Sequence, residues 1–162
     1  MDVKPRPLLY IETSVFGFYF DQNARNVLRR EAAVALLEQI RLGILEAATS
    51  PLTFDELRRT AEPLRSRLLP LAEGMRRLVS DRQEIERLTR AYVDGRVIPE
   101  DFEEDATHVA YATIAKADVL VSFNLRHLAN EWTERRIAAV NLQQGYLPLR
   151  IRTPEEVLEY GD

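Results

Sequence analysis

The stretch Glu104-Asp105-Ala106-Thr107-His108-Val109-Ala110-Tyr111-Ala112-Thr113-Ile114-Ala115-Lys116-Ala117-Asp118-Val119-Leu120-Val121-Ser122-Phe123-Asn124 decides the architecture. Val109, Ala112, Ile114 and Ala115 make a small-residue helical face, and Val119-Leu120-Val121 is a compact apolar run of the kind found in a strand covered on both sides. A helix joined by a very short turn to a buried strand is an α/β crossover. The helix begins among the acids Glu100, Asp101, Glu103, Glu104 and Asp105, and the strand ends at Ser122-Phe123-Asn124. In open parallel sheets ligands collect beyond the carboxyl ends of the strands, so Asp105 and Asn124 can meet at one site there.

Outward from this stretch, the totals bound the rest. A chain of 162 residues is read as one domain over 1–162, long enough to bury about two-thirds of the surface it would expose unfolded. The absence of cysteine excludes disulfides, thiolate metal sites and a cysteine nucleophile, and agrees with a reducing compartment. The opening Met1-Asp2-Val3-Lys4-Pro5-Arg6-Pro7 lacks the apolar core of a signal peptide, and no apolar run nears membrane-spanning length. A soluble cytoplasmic protein without membrane contact is therefore expected. The formal charge of -4 means that contact with a polyanion must be local. Of the 22 basic residues only Lys4 and Lys116 are lysine, and guanidinium forks suit bidentate phosphate contacts.

Leu8-Leu9-Tyr10-Ile11 reads as a first, central strand that delivers Glu12 at its tip. A carboxylate right after four apolar residues is costly unless solvated, paired or bound to a cation, and its alternative role is to cap the following turn. Val15 to Phe20 is aromatic and interrupted by Gly17, suited to core packing or to stacking on a base. Helical spacing runs from Asn26 to Leu42, with Gly43 as its cap, and Ile44 to Thr49 follows as a second strand. Ser50-Pro51 starts a helix with serine as N-cap, placing Glu56 where it can look back at Glu12, with Asp55 at a different azimuth.

Two further helices are expected, about Leu64 to Leu78 and Asp81 to Val93. Their arginines, Arg65, Arg67, Arg76, Arg77, Arg82, Arg87 and Arg90, form either a phosphate-facing side or a surface paired with Glu73, Glu84 and Glu86. After Val121, a helix containing Trp132 and Ile137 leads to a last edge strand, Leu149 to Ile151. Thr153-Pro154-Glu155-Glu156 is a capping box that launches a terminal helix.

Four motifs in this order, Tyr10-Ile11-Glu12-Thr13-Ser14, Ser50-Pro51-Leu52-Thr53-Phe54-Asp55-Glu56, Asp105-Ala106-Thr107-His108-Val109-Ala110 and Val121-Ser122-Phe123-Asn124-Leu125-Arg126-His127-Leu128, resemble the PIN domain. The resemblance covers nearly the whole chain and is nearest to the proteins grouped with VapC-like toxins of type II toxin-antitoxin systems. It implies a three-layer α/β fold, a central mostly parallel sheet flanked by helices, and a metal-dependent ribonuclease. The family's acids fall on Glu12, Glu56 and Asp105. Glu12 replaces the usual aspartate, and Asn124 stands where an acid is frequent, with His127 where related versions place that acid. Three formal negative charges remain, which points to one Mg2+ or Mn2+ held by Glu12, Glu56 and Asp105, with Asn124 orienting water or substrate.

The implied reaction is hydrolysis of an RNA phosphodiester by metal-activated water in an endoribonuclease of toxin type. Thr13, Ser14 and Thr53 are expected to steady the carboxylates or to cap helices. His108 is either a core or surface histidine or a group near substrate, and His127 either a phosphate contact or a structural one. The resemblance also brings a cognate antitoxin protein and a homodimer. The alternative function is a catalytically weak or inactive PIN-fold protein that binds nucleic acid or protein.

Overall fold

The computed structural model of the chain describes residues 6–160, and of Tyr160 the backbone alone. The segment 1–5, read above for a leader, lies outside the described residues. Strands β1 (Leu8–Ile11), β2 (Glu46–Thr49), β3 (Arg76–Arg77), β4 (Val119–Val121) and β5 (Arg150–Arg152) form one sheet in the order β3-β2-β1-β4-β5. Every pairing is parallel, with Tyr10 opposite Ala48 on one side and Leu120 on the other. The sheet is flanked by helices on both faces, which is the three-layer α/β arrangement expected from the sequence.

Alternation along the strands sends successive side chains to opposite layers. Tyr10, Ala48, Leu120 and Ile151 enter one buried cluster, with helices α5 (Arg82–Asp94), α6 (Glu103–Ile114) and α7 (Glu131–Gln143). Leu9, Ile11, Ala47 and Val121 enter the other. That second layer contains α1 (Thr13–Tyr19), α2 (Val27–Arg41), α3 (Pro51–Arg58), α4 (Leu64–Glu73) and α8 (Pro154–Tyr160). Strands this short are held by burial on both faces more than by their ladders.

Local signals explain most boundaries. Gly43 follows α2 with φ +77, the left-handed conformation that closes a helix, and its N–H donates to the Ile40 carbonyl at 3.0 Å. Asp81 caps α5 by accepting from the Gln83 N–H at 2.8 Å. Thr153 and Glu156 make the reciprocal bonds of a capping box. Asp118 receives the Leu8 N–H at 2.7 Å, a turn role at the opposite edge from the candidate site.

Several expectations need correction. The helix expected over Leu64 to Leu78 ends at Glu73, because Arg76 and Arg77 leave it to pair with Ala48 and Thr49 as an edge strand. Val15 to Tyr19 lies in α1, with Val15 and Phe16 in the core, so core packing is the observed use of this aromatic run. The second and last strands are shorter than or shifted from their expected spans, β2 starting at Glu46 and β5 at Arg150. Among the described residues no helix is long and apolar enough to cross a membrane.

Leu120 is fully buried on the central strand pair, so Leu120→Ala is expected to lower unfolding free energy by about 2 to 5 kcal/mol in urea denaturation. Trp132→Ala, at a side chain 69% exposed, is expected to stay within about 0.5 kcal/mol of wild type. Equal effects at the two positions would contradict this division of core and surface.

Candidate functional site

The carboxyl edge of the sheet collects polar side chains from four segments. Glu12 follows β1, Glu56 lies in α3 after β2, Asp105 lies in the first turn of α6, and Asn124 follows β4. This is the rim where the chain order reverses about β1, the usual ligand position in open α/β sheets.

Glu12 is buried and works as the N-cap of α1. Its Oε2 accepts from the Ser14 N–H at 2.8 Å, while Oε1 accepts from the hydroxyls of Ser14 at 2.7 Å and Ser122 at 2.5 Å. The two readings of Glu12 at the sequence level thus meet in one residue, a cap whose second oxygen is held by serines. Ser14 Oγ also accepts from the Phe123 N–H at 3.0 Å, which ties α1 to the end of β4.

Glu56 belongs to a buried chain of polar groups. Tyr10 Oη lies 2.7 Å from Ser50 Oγ and 2.7 Å from His108 Nδ1, and His108 Nε2 bonds Glu56 Oε1. Thr13 Oγ1 donates to the same carboxylate oxygen at 3.0 Å. Burial by itself lowers the basicity of His108, but the bond to Glu56 and the charges of Glu12, Glu56 and Asp105 outweigh it, raising its pKa. Burial alone would raise the pKa of Glu56, but the His108 bond and charge, the Thr13 bond and the charge of Arg59 together outweigh it, so this carboxyl sits below its ordinary range. His108 thus binds its proton more tightly than a free imidazole, with Nε2 toward Glu56 and Nδ1 toward the Tyr10 phenol. Asp55, as expected, points elsewhere and pairs with Arg58 at 3.1 Å.

Asp105 accepts from Asn124 Nδ2 at 3.1 Å through Oδ2. Burial, then the charge of Glu12 and more weakly that of Glu56, pushes its carboxyl up to about 6. Asn124 was expected to offer its carbonyl oxygen to a metal or water. That oxygen instead accepts the His127 N–H at 3.0 Å, so the amide bridges the loop after β4 to Asp105. His127 stacks its ring on Phe102, centroids 4.0 Å apart, a structural contact at the edge of the site. His108 is fully buried on the Tyr10 side of the sheet.

Two expected supports differ. Thr53 is buried beside the Tyr10 phenol, but its hydroxyl has no hydrogen-bond partner, since that phenol is taken by Ser50 and His108. Ser50 stands at the N-cap position of α3 without capping it, because its hydroxyl turns to Tyr10. Tyr10, Ser50 and Ser122 were not singled out as site residues by sequence reasoning. The available signal was their place inside or at the end of apolar strand runs, where a hydroxyl needs a partner.

The donor chemistry suits a hard divalent cation, while each of the three carboxylates is hydrogen-bonded to a protein group. Among the described residues no three His, Asp or Glu side chains stand together as a metal-holding group. Glu12, Glu56 and Asp105 share one electrostatic field but turn to different partners, the serines, His108 and Asn124. No protein-family model matches the chain, and no curated protein matches it at a significant level.

The two partly buried acids should respond to neutralisation with opposite signs. The pKa of Asp105 is raised on folding from its ordinary 3.8 to about 6, so its ionisation opposes folding above that pH and ceases to matter as pH falls toward 4. Asp105→Asn is expected to stabilise the protein at pH 7.5 by about 1 to 2 kcal/mol, allowing for solvent screening, with the gain vanishing near pH 4. Glu56→Gln is expected to destabilise by about 3 kcal/mol at pH 7.5, because the buried His108 loses the carboxylate that its Nε2 bonds. Thermal unfolding across pH reads both, and a loss of stability in both variants at pH 7.5 would contradict the assignment of Asp105.

Proposed function

We propose that the protein is a PIN-like domain that binds RNA at the carboxyl edge of its sheet, with its acidic rim working as a hydrogen-bonded recognition surface and not as a formed metal centre. The observation that carries this reading is the pairing of Glu56 with His108, which occupies a carboxylate oxygen that a cation would need. The serine contacts of Glu12 and the amide contact of Asp105 support it, since each carboxylate already has a partner. In this reading the rim offers Oδ1 of Asp105 and Oε2 of Glu56 as acceptors for base amino groups or sugar hydroxyls. Near pH 6 a half-protonated Asp105 reduces the repulsion that a phosphate would meet there.

A second reading, the divalent-metal endoribonuclease of toxin type, is favoured by one observation. Asp105, Glu12 and Glu56 repel one another in a partly buried space, and that repulsion is what a Mg2+ or Mn2+ ion would relieve. It requires the Glu56 carboxylate to turn from His108 toward Asp105. A cognate antitoxin would then set a cationic side chain on the rim, and a homodimer belongs to the same resemblance.

Labelled single-stranded RNA, incubated with the full chain first in chelator and then with Mn2+, separates the readings. The expected outcome is binding in chelator with no cleavage when Mn2+ is added. Mn2+-dependent cleavage that falls by about a hundredfold or more in Asp105→Asn would overturn the recognition reading and establish the nuclease.

A further inference from the structure

Eight of the 20 arginines have their guanidinium forks occupied by carboxylates among the described residues. Arg41, Arg58, Arg59, Arg65, Arg82, Arg90, Arg135 and Arg152 each lie against a carboxylate. This settles part of the arginine question raised by the sequence in favour of ion pairs, with Glu86 the one expected partner that is used. Arg29, Arg67 and Arg77 differ. The guanidinium carbon of Arg29 lies 5.5 Å from the ring centre of Phe18, that of Arg67 5.7 Å from Phe20, and that of Arg77 4.1 Å from Phe54. All three side chains are exposed, and none is paired with a carboxylate among the described residues.

The three rings belong to a single apolar cluster on the α1 to α4 face of the sheet, where α1 packs against both α3 and α4. Phe18 also meets Phe123 edge to face, ring centres 4.9 Å apart, and Phe123 sits between Ser122 and Asn124 of the rim. The arginines therefore form a basic band that starts beside the acidic site and extends over α4 to the edge strand β3. A ring that holds the flat face of a guanidinium limits its motion and leaves the N–H edge outward. With no carboxylate competing, that edge is free for the bidentate contact a phosphate offers.

We propose that Arg29, Arg67 and Arg77 are a phosphate track that holds the backbone of a single-stranded RNA as it runs to the rim. The track rests on the RNA-binding reading above and adds to it the surface and the groups recognised. Several phosphates in succession are the ligand that three separated, unpaired forks on one face can engage together. The chain's overall charge of -4 would otherwise repel such a ligand. The aromatic rings serve as backing and not as stacking platforms, since their outer faces are covered by the guanidiniums.

The test is fluorescence anisotropy with a labelled oligouridine and the full chain in chelator, so that no metal contributes. The triple variant Arg29→Gln, Arg67→Gln, Arg77→Gln is expected to bind about tenfold or more weakly, and its log-log salt slope should be shallower by about 2, from three contacts at about 0.7 each. A control triple of the same charge change, Arg41→Gln, Arg82→Gln, Arg135→Gln, is expected to stay within about twofold of wild type. Replacing the three by lysine keeps the charge and the fold and should recover part of the affinity, which covers the case of a glutamine variant that fails to fold. Wild-type binding that is unchanged in the track variant, or reduced equally in the control, overturns the track and leaves RNA binding standing. No binding by wild type overturns both, and equal, equally arginine-dependent binding of a duplex overturns the single-strand assignment.

Discussion

A buried imidazole held between a phenol and a carboxylate joins the parts of this molecule. His108 of α6 reaches Tyr10 in the central strand through one nitrogen and Glu56 of α3 through the other, and Tyr10 reaches Ser50 at the end of β2. Four segments far apart in the chain converge on one proton-bearing ring. Burial opposes a charge on this unexposed ring, and the bond to Glu56 with the charges of Glu12, Glu56 and Asp105 outweighs it, so its pKa is raised. The same pairing explains why neighbouring carboxyls behave differently, Glu56 held below its ordinary range and Asp105 pushed above it. One acid has the counter-charge, and the other has the repulsion.

The rim around this ring is built by the sheet. Parallel strands end together, so residues that follow β1, β2 and β4 are delivered to one edge whatever lies between them in sequence. Helix starts then add groups from above, Glu56 from α3 and Asp105 from α6. The hydroxyls of Ser14 and Ser122 clamp Glu12 between the first and fourth strands, a cross-link of hydrogen bonds at the point where a cavity would otherwise open. Functional polarity and structural closure are supplied here by the same side chains. The arginine distribution follows a similar pattern, with six forks closed by carboxylates three or four residues away and a few resting on rings.

Much of this was legible in the chain. The alternation of helical and strand periods, the runs at Leu8–Ile11 and Val119–Val121, and the glycine and capping-box signals located the main elements, because each depends on contacts a few residues apart. Glu12, Glu56, Asp105 and Asn124 were picked out by motif order and strand ends. Arg76-Arg77 was not legible as a strand, since two exposed charges at a sheet edge carry no hydrophobic pattern and their conformation comes from pairing with β2. The partners of the site residues were equally hidden. Nothing local told that Asn124 would spend its carbonyl on His127, that Ser50 would turn from its helix to Tyr10, or that Thr53 would have no partner at all.

The amino-acid order alone thus determined the fold class, the central place of the first strand and the edge at which the acids would assemble, because burial periodicity and the parallel connection leave few other arrangements. The tertiary structure decided how those acids are used. Whether three carboxyls face one another or face an imidazole, two serines and an amide depends on angstrom-scale orientation across elements that sequence spacing does not encode. At that scale the nearest hydrogen-bond donor wins.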